Sequence, residues 1–126
     1  MKKNIIETNK APQAVGTYSQ GVEYNGVYYF SGQIGINPNT NEMSSDFNEQ
    51  LTQIMQNIDG LLEHCQITRE HIIKTTIFLT DLAKFNLVND AYVKFFSAPY
   101  PARSCVEVPA LPKGALVEIE VIAAKG

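Results

Sequence analysis

The sequence contains little of what several common protein classes require. It has only two cysteines, Cys65 and Cys105, in 126 residues, too few for a disulfide framework and without the spacing of metal ligands. We therefore expect reduced thiols, a cytoplasmic location and no bound metal. No run of about 20 apolar residues is present to cross a bilayer, and the N-terminal residues lack the apolar core of a signal peptide. The net charge of −3 argues against nucleic acids and anionic membranes as partners, because both attract basic surfaces.

The composition is that of an ordinary globular protein. Hydrophobic residues make up 44% of the chain and charged residues 18%, both typical of a folded domain. A length of 126 residues is enough for one domain with a substantial core. We find no internal repeat and expect a single domain over residues 1–126.

The clearest local signal is a β-hairpin. Asn25-Gly26 separates two strand-like runs at residues 21–24 and 27–33, and this dipeptide favours a type I′ turn because both residues tolerate positive φ. Residues 5–7 are a candidate for a further short strand.

A helix is predicted next, because apolar residues recur at helical spacing. Asp46 or Ser45 is expected to cap it, and Glu49 stands three residues after Asp46, as in a capping box. The residues of the apolar stripe are Phe47, Leu51, Ile54, Met55, Ile58, Leu61, Leu62 and Cys65.

The second half of the chain completes an α+β pattern. A strand is predicted at residues 72–80, a helix at 82–96 capped by Asp81, and two final strands at 104–108 and 116–123. The apolar positions of this helix share one face and are Phe85, Val88, Tyr92 and Phe95. The order of elements favours a mixed six-stranded sheet with two helices packed on one face.

The last strand indicates which face the helices cover. Alternate residues along a strand point to opposite faces. We expect Val117, Ile119, Val121 and Ala123 to face the helices, and Leu116, Glu118, Glu120 and Ile122 to face away. Half of the second set is acidic, so we do not expect that face to be an ordinary core.

The candidate site lies in the last two strands. If these strands are antiparallel neighbours, Cys105 lies near Glu118 and Arg103 near Glu120, all on the face away from the helices. Arg103 then offers a forked donor for a carboxylate or phosphate, and a pocketed carboxylate can orient or deprotonate water. The alternative is a structural Arg–Glu ion pair on the sheet surface.

Several motifs stand in order along nearly the whole chain. They are Gly16-Thr17-Tyr18-Ser19-Gln20-Gly21, Phe30-Ser31-Gly32-Gln33-Ile34, Lys74-Thr75-Thr76-Ile77-Phe78-Leu79-Thr80-Asp81-Leu82, Asn89-Asp90-Ala91-Tyr92, and Pro101 to Val108 with Leu111-Pro112-Lys113-Gly114 and Val117-Glu118-Ile119-Glu120. Separate motifs in the right order are far more specific than any one of them. Together they resemble the motifs of the RidA family, also called YjgF, of enamine/imine deaminases.

The resemblance implies a chorismate-mutase-like α+β sandwich assembled as a homotrimer, with the sheets as an inner barrel and active sites between subunits. The implied reaction is hydrolysis of 2-aminoacrylate, 2-iminobutanoate and related acids to 2-oxo acids and ammonia, without a cofactor. Arg103 matches the residue that binds the substrate carboxylate, and Glu118 matches the acid that positions water. The implied pocket also includes Tyr18, Ser31, Gly32, Asn89 and Cys105.

Alternatives remain for the function and for single residues. The same scaffold suits a non-catalytic trimeric protein that binds 2-oxo acids or similar carboxylates, and an RNA-acting or chaperone-like role is a third interpretation. Cys105 is either a nucleophile or, as we favour, a pocket wall, because no histidine stands beside it in sequence. Glu107 and Glu120 are expected to be structural, paired with Lys113, Lys125 or a neighbouring subunit.

Overall fold

The computed structural model describes residues 2–125, and they form a six-stranded sheet with two α-helices on one face. This confirms the predicted α+β class. In chain order the elements are β1 (Asn4–Ile6), β2 (Gly21–Tyr24), β3 (Val27–Phe30), α1 (Phe47–His64), β4 (Ile72–Leu79), α2 (Phe85–Phe95), β5 (Ala102–Glu107) and β6 (Val117–Ala124).

The sheet is mixed. Its strand order is β1-β2-β3-β6-β4-β5, and all neighbours are antiparallel except β4 and β5, which are parallel. Parallel neighbours need a long crossover connection, and here α2 supplies it.

The hairpin forms as predicted, although its second strand is shorter. Asn25 and Gly26 have φ values of 52° and 81°, as a type I′ turn requires. β3 ends at Phe30, although the backbone N–H of Ser31 still donates to the Gln20 carbonyl at 3.0 Å, in register with the β2–β3 pairs. Gln33 rejoins the sheet through a single bridge to Ile119.

Helix α1 also begins where the sequence predicts. The Asp46 carboxylate accepts a hydrogen bond from the backbone N–H of Glu49 at 3.0 Å, so Asp46 rather than Ser45 is the cap. The predicted apolar stripe is buried against the sheet, and Cys65 packs at its end. Gly60 allows the loop before β2 to touch the helix, because a Cβ there would lie 2.2 Å from the Lys10 carbonyl oxygen.

Helix α2 starts three residues later than predicted. Asp81 does act as a cap, accepting from the N–H of Ala83 at 3.0 Å, but it caps a short 3₁₀ turn at Leu82–Lys84. Val88, Tyr92 and Phe95 are buried as expected.

The predicted pairing of the last two strands is wrong. β4 lies between β5 and β6, so the strands that carry Arg103 and Glu118 do not touch each other. The apolar alternate residues of β6 (Val117, Ile119, Val121 and Ala123) are buried, which suits a central strand. Strand β5 is largely exposed and forms the edge. The predicted faces are confirmed for the residues of β6 itself, whereas Leu116, which was expected to face away from the helices, precedes the strand and packs against the core.

Candidate active site

The sheet separates the candidate residues into two groups. In register, Arg103 pairs with Thr75 and Cys105 with Ile77, and Thr75 and Ile77 are buried on the helix side. Arg103 and Cys105 therefore lie on the helix side. Glu118 and Glu120 lie on the open face. The prediction that all four share the open face is wrong, because β5 pairs with β4 and not with β6.

The first group surrounds Arg103. Its Nη1 donates to the side-chain oxygen of Asn89 at 2.7 Å. Its Cζ lies 5.0 Å from the ring centroid of Phe85 and 5.2 Å from that of Tyr92, within the range of cation–π attraction. Arg103 is nonetheless exposed. The guanidinium is thus held in place while much of it stays accessible to an anion.

The structural Arg–Glu ion pair is not observed among the described residues. Within residues 2–125 the two ion pairs are Lys10–Glu63 and Arg69–Asp59. Glu107 does have a structural role, but a different one from the predicted lysine pairing: its Oε1 accepts from the backbone N–H of Leu82 at 2.8 Å.

Cys105 lies two residues after Arg103 on β5, on the same face of the sheet, and is half-buried. Burial raises the pKa of its thiol, and the nearby Arg103 opposes this only in part. Because the thiolate is the nucleophilic form, a raised pKa favours the pocket-wall role over the nucleophile.

The second group surrounds Glu118 on the open face. Hydrogen bonds on both sides hold the segment after β3 that carries Ser31 and Gly32. Ser31 Oγ donates to the Ser19 carbonyl at 2.7 Å, and Gln33 exchanges backbone hydrogen bonds with Ile119 at 2.8 and 3.0 Å. The Glu118 carboxylate lies directly over Gly32, since a Cβ there would be 2.2 Å from Oε2. Gly32 therefore makes the space that this carboxylate occupies.

Glu118 has the electrostatics of an acid–base group. Burial, and then the charge of Glu120, raise the pKa of the Glu118 carboxyl above its ordinary value. A carboxyl whose pKa moves toward neutrality can both accept and donate a proton during a reaction.

The two remaining predicted residues divide between the groups. Asn89 belongs with Arg103, to which it is hydrogen-bonded. Tyr18 is 53% exposed. It directly precedes Ser19, whose carbonyl accepts a hydrogen bond from Ser31, so Tyr18 belongs with the group around Glu118. A cleft of about 1060 Å³ at the ends of the helices, lined by Arg69, Phe95 and Pro101 among others, includes none of the candidate residues.

Comparison with known proteins decides the family. The model of a family described as Endoribonuclease L-PSP matches residues 8–125. A RutC family protein of Aquifex aeolicus is 48% identical over 122 residues, covering 95% of this chain and 98% of that protein. Reactive Intermediate Deaminase A, chloroplastic, of Arabidopsis thaliana is 42% identical over 124 residues, 98% of this chain and 66% of that protein. The chain belongs to the RidA/YjgF family.

The RidA/YjgF fold is also evident in solved structures. The crystal structure of Escherichia coli TdcF with bound serine superposes with a TM-score of 0.93 at 40% identity, covering 98% of this chain and 99% of that one. The predicted family and its mixed α+β sandwich are thus confirmed.

Sequence reasoning about this RidA/YjgF chain did not identify Phe85 and Tyr92 as neighbours of Arg103. The signal was present, because residues 85, 89 and 92 are four and three apart and so share one helix face.

Two further observations concern other kinds of site. Among residues 2–125, no group of three or more histidine, cysteine, aspartate or glutamate side chains is arranged to hold a metal ion. None of the helices in this part of the chain has the length and apolar character needed to cross a membrane.

Proposed function

We propose that this protein hydrolyses reactive 2-enamine and 2-imine acids, such as 2-aminoacrylate and 2-iminobutanoate, to 2-oxo acids and ammonia. The main support is that each chain carries two parts of a site, the accessible Arg103 on one side of the sheet and the partly buried Glu118 on the other. The name of the Arabidopsis relative, a reactive intermediate deaminase, supports this reaction. The serine bound to TdcF supports a small amino-acid-like ligand.

The chemistry suits these side chains. The carbon of a protonated imine is already electrophilic, so the proposed reaction needs no metal or cofactor. Arg103 would hold the substrate carboxylate through paired N–H donors. Glu118 would take a proton from water as it adds to the C=N carbon and return it to the nitrogen. As the C–N bond breaks and ammonia leaves, the new hydroxyl group would lose its proton to Glu118, which gives the 2-oxo acid. For 2-aminoacrylate, a proton must first reach the terminal CH₂ carbon to give the imine. The enzyme's contribution is mainly positioning.

Two copies of the chain would form each site. Within one chain the sheet lies between Arg103 and Glu118, so the Arg103 side of one copy must meet the open face of another. That open face exposes apolar side chains, with Ile5 at 55%, Tyr29 at 47% and Val106 at 44%. Exposed apolar surface of this kind indicates an interface. We propose the homotrimer with an inner barrel of sheets that the family resemblance implies.

The other predicted pocket residues have supporting roles in this proposal. Ser31 and Gly32 present backbone groups beside Glu118, and Tyr18 contributes from the same side. Asn89 orients Arg103, and Cys105 lines the wall. We propose no nucleic-acid or membrane partner, since acidic residues outnumber basic ones, 13 to 10. The cytoplasmic location stays a prediction.

A dehydratase assay tests the reaction. A dehydratase that releases 2-aminoacrylate from serine is used in excess, so that imine hydrolysis limits the appearance of the 2-oxo acid. We expect this protein to accelerate that step and Arg103→Ala to abolish the acceleration. Equal rates with and without the protein, together with measurable binding of a 2-oxo acid, would instead support the non-catalytic binding protein.

Subunit complementation tests the shared site. Arg103→Ala and Glu118→Gln should each be inactive, and co-refolding equal amounts should create some sites with both native residues. If the two variant chains assemble at random into cyclic trimers, and each site takes Arg103 from one chain and Glu118 from its neighbour, about a quarter of the sites have both native residues. About a quarter of wild-type activity should then return. No activity above that of the two parents would contradict sites shared between subunits.

A further inference from the structure

Arg103 is held more firmly than its position on an edge strand requires. It is exposed, and an exposed arginine ordinarily samples many rotamers, a freedom that is lost when it binds a ligand. Here its Nη1 is hydrogen-bonded to Asn89, and its Cζ lies 5.0 and 5.2 Å from the ring centroids of Phe85 and Tyr92. Much of the freedom of the side chain is therefore already restricted before a ligand binds.

All three contacts come from one face of α2, and that face is tied to the sheet. The Tyr92 hydroxyl donates to Thr75 Oγ1 at 2.5 Å, in a buried hydrogen bond. Thr75 is 1% exposed and is the register partner of Arg103 across β4 and β5. The Tyr92 ring is thus fixed relative to the same rung of the sheet that carries Arg103.

We propose that Phe85 and Tyr92 are positioning residues that set the affinity of the site for small carboxylates by holding the Arg103 guanidinium against their rings. The inference rests on the proposed function, in which Arg103 binds the substrate carboxylate. A guanidinium can contact aromatic rings and keep N–H donors for a carboxylate. Asn89 engages only Nη1, so other N–H groups of the five remain for the ligand.

The effect should fall on binding more than on chemistry. Arg103 contacts the carboxylate in the bound substrate and in the transition state alike, so weakening its placement removes uniform binding and raises KM with little change in kcat. Phe85 is the better residue to vary, because it is only partly buried, whereas Tyr92 belongs to the core.

The test measures the dissociation constant of 2-oxobutanoate by titration for wild-type, Phe85→Leu and Phe85→Tyr proteins. We expect Phe85→Leu to bind about two- to fivefold more weakly, the loss of one cation–π contact, and Phe85→Tyr to restore binding. KM for the imine should rise by the same factor. Leu87→Ala is the matched control, since Leu87 lies on the same helix but lines the groove toward α1, and its affinity should stay unchanged.

Unchanged affinity in Phe85→Leu, or equal weakening in both Phe85 variants, would overturn the inference, as would a wild-type protein that does not bind 2-oxobutanoate. The titration involves no turnover. A wild-type protein that binds the 2-oxo acid without accelerating imine hydrolysis would therefore overturn the proposed enzyme, while the Phe85 variants still decide the positioning role.

Discussion

Gly32→Ala should impair catalysis without unfolding the protein. The added Cβ would lie 2.2 Å from Glu118 Oε2, 2.8 Å from its Cδ and 3.1 Å from its Cγ. Ordinary contact begins near 3.4 Å, so the carboxylate must move by about 1.2 Å, the difference between 3.4 and 2.2 Å. Gly32 is not among the residues with positive φ, so alanine adds no backbone strain there.

The magnitude follows from this displacement. Misplacing a catalytic group by about 1 Å can cost on the order of 100-fold in rate, which corresponds to roughly 2.7 kcal/mol of activation free energy. The folded state should lose little, because the obstructing group is the end of a flexible side chain and can rotate away. We expect a change in the free energy of unfolding within about 0.5 kcal/mol, as for ordinary surface substitutions.

Gly60→Ala is a matched control with the opposite expectation. Its Cβ would meet the Lys10 carbonyl oxygen at the same 2.2 Å, but this obstacle is backbone. Overpacking costs about 1–3 kcal/mol, and the gain in helix propensity offsets at most about 1 kcal/mol. The melting temperature should fall by about 5 °C, with kcat close to wild type.

The dehydratase assay and thermal unfolding measure both variants. A Gly32→Ala protein with wild-type kcat would refute the assignment of Glu118 to the reacting centre. A Gly32→Ala protein that fails to fold would refute the argument that only a side chain has to move.

Two further predictions concern Glu118 and Tyr92. The pKa of Glu118 is raised in the folded state above its ordinary value of 4.5. The folded protein is therefore most stable with respect to this group at low pH, and it loses that stability as pH rises through the raised pKa. The comparison uses Arg103→Ala as the parent, so that no arginine of another subunit can pair with Glu118. Adding Glu118→Gln to this parent should raise the melting temperature at pH 7 and should not raise it below pH 4.5. A gap that widens toward acid would contradict this. Tyr92→Phe removes a buried hydrogen bond to Thr75 and should cost about 1 kcal/mol in urea unfolding. Burial raises the pKa of Tyr92 to about 12, so this cost should be the same at pH 6 and pH 9, and a pH-dependent cost would refute it.

Local signals predicted most of the elements because their causes are local. The Asn25-Gly26 turn, the Asp46 cap and the alternation along β6 each depend on a few neighbouring residues, and the structure confirms all three. The late start of α2 is also a local matter, since Asp81 caps a 3₁₀ turn before the helix.

The pairing of β5 could not be predicted in the same way. Strands adjacent in sequence are often neighbours in space, so pairing β5 with β6 was the natural expectation. An edge strand exposed on both faces has no apolar alternation to show which face is buried, and five of the six residues of β5 are exposed. The side of the sheet on which Arg103 lies therefore could not be predicted from the sequence, although the family motifs made Arg103 a candidate.

The separation of Arg103 from Glu118 has a consequence for the chemistry. An arginine beside a carboxylate lowers its pKa and uses the donors of its own guanidinium. Within one chain the sheet prevents this ion pair, so Glu118 keeps its raised pKa and Arg103 keeps N–H groups for a ligand. In the proposed trimer the two groups would approach only across the subunit boundary, with the substrate between them. Activity should then depend on assembly, and dilution below the trimer dissociation constant should abolish turnover while the fold of each chain persists. Activity that stays proportional to protein concentration in a demonstrably monomeric sample would contradict this account.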